Sequence, residues 1–397
     1  MVQATWGKFH HFDLARQLEK RGLLQAIFTT YPRFKLRHES LPQSKIHCRW
    51  HWHAPLLALW RYGGRLGPLE KSWLRETVKD FESWLTRRVP ECDVFIALSG
   101  SGLAAGRKVQ GRGGRYICDR GSSHIRWGEN LLREEFRRWA EPFEGTDPLF
   151  ICKEESEYAE ADLITVPSSF AARSFEEQGV PKEKVRVVPY GVDFTRFAPQ
   201  GMPPSDEFRV LFVGQVSFRK GLPYLLEAFE RLARSRKRLT IIGALRPEMK
   251  RWLSGRSFPQ VEFLGALPQA QLPRYLSTSH VHVLASIEEG MAYVQAQAMA
   301  CGCPLISTCN TGACDLITDG QEGFIVPIRD PAAITARLQQ LADDPGLQQR
   351  MRAAALHRVQ TIGGWDSYGE ALARVITEVR KSSVDGGTVK TPLKMKA

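Results

Sequence analysis

Nowhere do the 397 residues carry a long apolar run. A membrane-spanning helix needs about 18–20 consecutive apolar residues, and the best local stretch, around Ala54–Trp60, falls far short. The first residues lack the basic and then apolar blocks of a secretory leader, so the expected compartment is the cytoplasm. Cysteine is scarce, at eight in 397, which excludes a disulfide scaffold. Four of the eight crowd together as Cys301, Cys303, Cys309 and Cys314. Their spacing is not that of a zinc site, and they sit among Ala300, Gly302, Ser307 and Gly312, so they read as small core residues. Acidic residues are in deficit, with 43 Asp and Glu against 55 Lys and Arg, a net charge of +12. That excess points to an anionic partner.

The excess is concentrated between Arg33 and Arg75, where nine Lys and Arg face only Glu39 and Glu70. The same stretch holds Trp50, Trp52, Trp60 and Trp73. Cations interleaved with tryptophan suit an anionic membrane surface or an anionic acceptor, peripheral at the inner face of the membrane. A solvated basic face over core tryptophans is the other reading, and nucleic acid ranks behind both.

What the chain does contain is alternation. Short apolar runs alternate with longer amphipathic stretches, the pattern of parallel sheets with crossover helices. In the first half, strands are expected at Gln25–Thr29, Val94–Leu98, Tyr116–Cys118, Leu163–Val166 and Val185–Val188, with helices over Phe12–Arg21 and Glu70–Arg87. Ser168 or Ser169 caps a further helix that Gly179 ends. Prolines and glycines at Pro189, Gly191, Pro199, Gly201, Pro203 and Pro204 mark a linker. The alternation then restarts, with strands at Arg209–Val213, Leu239–Ile242, Val261–Leu264, Val281–Leu284, Leu305–Ser307 and Gly323–Val326. Helices are expected at Leu222–Ala233, Gln271–Thr278, Tyr293–Cys301, Ala332–Asp343 and Gly346–Gln360. The fold class is therefore α/β, with two doubly wound Rossmann-like domains facing a central cleft. Ligands in such folds sit beyond the carboxyl ends of the strands.

Two segments fall there. GQVSFRKG at 214–221 sets Arg219 and Lys220 between Gly214 and Gly221, just before a helix. A helix start with two cations is an anion site, and Arg grips phosphate oxygens through two donors. The bland alternative is an exposed basic turn. EEGMAYVQAQAMACGCP at 288–304 follows another strand. Backbone N–H groups near Met291–Val294 can point at a phosphate. Glu289 beside Gly290 would repel phosphate and so suits sugar hydroxyls. Gln297, two helical turns on, can bridge a ribose diol by donating and accepting, or can simply be an exposed polar residue.

These segments resemble the C-terminal domain of the family-four retaining glycosyltransferases, nucleotide-sugar-dependent enzymes of the GT-B fold. The resemblance extends to VEFLG at 261–265, DLITDGQEGFIVP at 315–327, the linker YGVDFTRFAP at 190–199 and the final-helix start WDSY at 365–368. In the first half, GKFHHFDLARQLEKRG at 7–22 and EYAEADLITVPSSF at 157–170 also fit. The resemblance implies an acceptor-binding domain over 1–189, a linker over 190–205, a nucleotide-sugar-binding domain over 206–360, and a helix over 361–380 that crosses back. The tail, 381–397, is expected to be disordered.

By the same resemblance, Arg219 and Lys220 hold the donor diphosphate as it leaves, the charge stabilisation that is commonly the largest catalytic term. Glu289 is the first glutamate of the E-x7-E element, near the donor sugar. Gly7, Gly214, Gly290 and Val294 line the donor site, and His124 matches the family's histidine facing the sugar. A capping or core histidine is the competing reading of His124. Gln297 stands where the second glutamate belongs, which predicts weaker nucleotide binding. Met291 and Ala292 replace the usual Phe-Gly pair. Only Met1–Thr5 precede the Gly7 loop, so the first strand is either short or begins upstream.

No D-x-D pair is present to hold a metal between phosphates, so neither a metal nor another cofactor is expected. No catalytic base is evident either, and the family's leaving phosphate is expected to take the acceptor's proton. The implied function is sugar transfer from a nucleotide sugar to a glycan or lipid-linked acceptor. The alternatives are a non-catalytic sugar-nucleotide-binding protein of this fold and a GT-B epimerase.

Overall fold

Two parallel sheets, each the engine of one half of the chain, emerge in the computed structural model, which describes residues 1–61 and 68–381. The expected disorder of the tail lies outside the described residues.

In the first half the strands are β1 (Val2–Thr5), β2 (Ala26–Thr29), β3 (Ile46–Cys48), β4 (Val94–Leu98), β5 (Arg115–Asp119), β6 (Leu163–Val166) and β7 (Val185–Val187). They lie in the order β3-β2-β1-β4-β5-β6-β7, and every pairing is parallel. The connecting helices are α1 (His11–Lys20), α2 (His53–Arg61), α3 (Pro68–Arg88), α4 (Leu103–Gln110), α5 (Ile125–Arg138), α6 (Pro148–Glu160) and α7 (Ser169–Glu177). The first strand is short. Its four residues are all buried, and it pairs with β2 on one side and β4 on the other.

The second half repeats the plan. Strands β8 (Phe208–Val213), β9 (Lys237–Ile242), β10 (Val261–Gly265), β11 (Val281–Leu284), β12 (Leu305–Thr308) and β13 (Gly323–Val326) take the order β10-β9-β8-β11-β12-β13, again all parallel. The helices are α8 (Leu222–Arg231), α9 (Pro247–Leu253), α10 (Leu272–Ser277), α11 (Tyr293–Ala300), α12 (Ala313–Leu316), α13 (Pro331–Asp343), α14 (Pro345–Ile362) and α15 (Trp365–Lys381). In both sheets the order reverses beside the first strand, at β1/β4 and at β8/β11. A crevice opens at such a switch point, and it is there that the loops after β1, β8 and β11 converge.

The halves are fastened by apolar packing and by α15. One core cluster runs from Phe12, Leu14 and Leu18 of α1 through Tyr190, Val192 and Phe197 to Met299 of α11 and Leu372 and Val375 of α15. Helix α15 lies so close to α1 that a Cβ on Gly369 would come 2.6 Å from Gln17 Cβ. Lys20 pairs with Asp366 at 3.0 Å, and Arg186 with Glu378. Among the described residues no helix is long and apolar enough to cross a membrane.

Three expectations need correction. The basic stretch contains an edge strand, β3, which its three residues were too few to announce. Helices α4, α5 and α6 are present in addition to those expected. Among the described residues, Lys45 pairs with Glu19, Arg49 with Asp80 and Arg75 with Asp147, so the uncompensated charge of the stretch is smaller than the count.

Candidate active site

The two predicted segments are knitted to each other. After β8, Ser217 Oγ accepts from Lys220 N at 3.4 Å and caps a single helical turn over Phe218–Lys220. Gly221 then takes the left-handed conformation, φ 65°, and opens α8. A Cβ at that position would overlap the Ala285 carbonyl, so only glycine lets this turn lie against the end of β11. Ile287 N donates to Arg219 O at 2.8 Å and closes the contact.

That backbone contact brings the charges together. Arg219 Nε donates to Glu288 Oε2 at 2.9 Å, and its Nη2 lies 3.3 Å from Glu289 Oε1. Lys220 Nζ pairs with the other Glu289 oxygen. Burial would raise the Glu288 carboxyl, but the Arg219 charge and the hydrogen bonds from Ser122, Ser123 and Arg219 outweigh it and hold it at about 2. Burial pulls the Lys220 ammonium below its ordinary range, with Glu289 opposing and Arg219 adding to the shift. Two cations and two carboxylates therefore form one cluster in which Glu288 is buried and the other three are half-buried. An anion entering it exchanges one set of charge partners for another.

Glu288 is the residue that sequence reasoning missed. Its Oε1 accepts from Ser122 Oγ at 2.6 Å and from Ser123 Oγ at 2.7 Å, both on the opposite wall of the crevice. The same walls meet at Gly290, where a Cβ would overlap the Gly121 carbonyl. Ser168 Oγ donates to Gly290 O at 2.5 Å, and Ser169 N to Asp315 at 2.8 Å. The doubled glutamate of Glu288-Glu289 was the available signal, since one carboxylate suffices for a sugar.

Beside the cluster is a cavity of about 760 Å³ whose lining includes Lys8, His10, Tyr293, Gln297 and Trp365. Gln297 thus lines open space. Arg219, Lys220 and Glu289 are not among its lining residues. Val294 is half-buried and packs against both core clusters. Gly7, in the loop after β1, is tied to β2 through Gly7 N to Thr30 Oγ1 at 2.8 Å, and its neighbour Lys8 reaches the cavity. Gly214 N donates to Ile242 O at 2.9 Å and so holds the end of β8 against β9.

His124 is placed elsewhere. Its Nδ1 accepts from Arg126 N at 3.3 Å and caps α5, and its ring packs 5.0 Å from both Tyr158 and Phe175. Burial pushes it down to about 4, so it is neutral near pH 7. The structure makes it a capping and core histidine. The histidines at the crevice are instead His10 and His11, at the start of α1, which converge on Asp119 at the end of β5. The pair was visible in GKFHHFDLARQLEKRG, but nothing in sequence linked it to a carboxylate 109 positions away.

The cysteine cluster dissolves. Cys301 and Cys303 are buried, Cys309 is half-buried and Cys314 is exposed. Among the described residues only His10, His11 and Asp119 bring three potential ligand atoms within 4.8 Å of one another. His10 Nε2 is hydrogen-bonded to Asp119 Oδ2, and His11 Nε2 lies 3.0 Å from the same oxygen.

Comparison with known proteins bears on the family and the fold. Residues 193–358 match the family described as Glycosyl transferases group 1, and residues 9–196 match Glycosyltransferase Family 4. The chain is 28% identical over 258 residues to a D-inositol 3-phosphate glycosyltransferase of Thermomonospora curvata, a match spanning 56% of this chain and 58% of that relative. The chain thus spans little more than half the length of that curated relative. Among solved structures, a sucrose-phosphate synthase from Thermosynechococcus elongatus superposes with TM-score 0.75 at 18% identity, covering 96% of this chain and 100% of the other. Anabaena HepE in complex with UDP-glucose superposes with TM-score 0.67 at 16% identity, covering 95% and 100%. With two family matches that together run from residue 9 to residue 358 and a two-sheet fold shared with these structures, the chain belongs to the family-four glycosyltransferases of the GT-B fold.

Proposed function

We propose that this protein is a retaining glycosyltransferase that moves a sugar from a nucleoside-diphosphate sugar to a glycan or lipid-linked acceptor in cell-surface polysaccharide or glycolipid synthesis. The observation that carries the reading is the Arg219–Lys220 pair, held at the carboxyl end of β8 by the Gly221 turn and faced by Glu288 and Glu289. Two cations at this point stabilise a leaving diphosphate as its charge develops. They take the role that a bridging metal fills elsewhere, so turnover is expected without added metal. Glu289 is positioned to pass from Lys220 to a sugar hydroxyl when phosphate displaces it, and Gln297 faces the cavity where a ribose would lie. The solved complex of HepE with UDP-glucose supports a nucleotide sugar as the donor class. Retention of anomeric configuration rests on the family alone.

The test begins with thermal-shift titration of uridine, guanosine and adenosine diphosphates, followed by assay of sugar-nucleotide hydrolysis and transfer. Stabilisation by one diphosphate, with turnover that disappears in Arg219→Ala, is the expected result. Binding without turnover in the native chain would instead support the non-catalytic reading, which Gln297 favours.

A further inference from the structure

Helix α5 belongs to the first half of the chain, yet both of its ends serve the charge cluster of the second half. Ser122 and Ser123, the two residues before its cap, hold the Glu288 carboxylate at 2.6 and 2.7 Å. One turn into the helix, a Cβ on Gly128 would come 3.7 Å from the same side chain. The helix has 14 residues and is therefore about 21 Å long. Near its far end, Phe136 and Trp139 pack against the apolar core of the second half.

What they meet there is the turn that carries the cations. Phe218 directly precedes Arg219 and is fully buried. The Trp139 ring stacks on it, with centroids 5.8 Å apart and planes 13° from parallel, and the Phe136 ring meets it edge-on at 5.4 Å. Trp139 also lies 5.4 Å from Tyr224 of α8, the helix that the turn opens. Glu135 fixes the indole. It is fully buried, and its Oε1 accepts from Trp139 Nε1 at 2.7 Å and from Tyr224 Oη at 2.8 Å. Its Oε2 accepts from Arg329 Nε at 2.7 Å. A single helical turn over Phe218–Lys220 has no stiffness of its own. Its position is set by its neighbours, the end of β11 on one face and the α5 rings on the other.

We infer that Trp139 is a positioning residue for the diphosphate clamp: its stack on Phe218 sets where Arg219 and Lys220 stand. This inference rests on the glycosyl-transfer reading, in which those two cations hold the donor diphosphate. It makes the first half a contributor to a donor site that the family resemblance gives to residues 206–360. Trp139 itself touches no donor atom. It acts through Phe218, and the Glu135 carboxylate keeps its ring from turning away. Cation placement matters because charge stabilisation of a leaving group depends on donors fixed in advance.

The test is calorimetric titration of the full chain with UDP and UMP, GDP and GMP, and ADP and AMP. The monophosphate lacks the outer phosphate, so the ratio of the two dissociation constants isolates the contact that the clamp supplies. Trp139→Leu keeps an apolar side chain and removes both the stack and the bond to Glu135. It should lower the preference for diphosphate about tenfold, the scale of one charge-assisted hydrogen bond, with monophosphate affinity held within about twofold. Trp139→Phe keeps a ring against Phe218 and should recover most of the preference. Arg219→Ala should lower it as well. The double variant Trp139→Leu/Arg219→Ala should lose less than the product of the two single losses, because both act on one contact. Losses that multiply in full, or equal losses of mono- and diphosphate affinity, mark a purely structural role and overturn the inference while leaving the transferase reading intact. A native preference in Trp139→Leu overturns it too. Should that variant not fold, Phe218→Leu removes the same stack from the other side, with the same supporting and overturning outcomes. A native chain that binds no diphosphate more tightly than its monophosphate overturns the clamp itself, and the transferase reading falls with it.

Discussion

The Glu288 carboxylate and the Ser123 hydroxyl meet at 2.7 Å although 165 positions separate them. The same carboxylate accepts from Arg219 at 2.9 Å. One side chain thus ties a proposed donor-binding cation to the opposite wall of the crevice. Closure of the crevice and orientation of that cation become a single structural event.

Replacing Glu288 separates the two. Glu288→Ala leaves the half-buried Arg219 guanidinium with Glu289 as its remaining carboxylate and strands the Ser123 hydroxyl, a loss of about 1–3 kcal/mol. Glu288→Gln keeps the serine contacts and should cost less. The effect depends on pH in a defined window. The folded-state carboxyl, held at about 2, lies below its ordinary 4.5. A depressed carboxyl contributes stability that is fully present above the unfolded value and is lost as pH falls through the folded one. The stability gap between native chain and Glu288→Gln should therefore be constant above pH 4.5 and shrink between 4.5 and about 2. Urea unfolding of both at a series of pH values measures it.

Gly290→Ala should wedge the crevice. Its Cβ would meet the Gly121 carbonyl and Ser122 Cα, both backbone, so neither side can yield by a rotamer change. The expected outcome is a larger radius of gyration in small-angle scattering and loss of sugar transfer. Nucleotide binding to the second half should survive. An unchanged radius with full activity would show that the walls separate during turnover.

Gln297→Glu restores the carboxylate of the E-x7-E element at a position that faces the cavity. A charge-assisted hydrogen bond to a ribose diol exceeds a neutral one by about 1 kcal/mol, so the donor Michaelis constant should fall about fivefold with kcat little changed. An unchanged Michaelis constant would place the ribose elsewhere.

The architecture was legible because both sheets are parallel and their central strands are buried on both faces, which writes strands as short apolar runs. Val94–Leu98, Leu163–Val166, Val281–Leu284 and Gly323–Val326 fall where those runs predict. The cation pair was legible because the glycines around it report a tight turn. The rest of the site was not, because it is made across the crevice. Glu288 gains its meaning from Ser122 and Ser123, and His10 from Asp119, pairs that no local pattern announces. His124 misled for the complementary reason. It follows a strand and precedes a helix, which suits a site residue and an N-cap equally, and its burial against Tyr158 and Phe175 is a tertiary fact.

The basic stretch leads to a prediction about the membrane. Arg33, Lys35 and Arg37 are exposed and have no acidic partner among the described residues, and Phe34 between them is 57% exposed. An exposed aromatic among cations that lack acidic partners is the composition of an interfacial contact. Each cation near an anionic surface contributes about 1 kcal/mol, screened by salt. The chain should therefore cosediment with phosphatidylcholine vesicles containing about 30 mol% phosphatidylglycerol at low ionic strength and release at high salt. Reversing Arg33, Lys35 and Arg37 to Glu should abolish cosedimentation while leaving turnover of a soluble acceptor unchanged, because none of the three lines the cavity. Binding that persists in the triple variant would move the contact to another face. Turnover that falls with it would mean that the stretch meets the acceptor rather than the lipid.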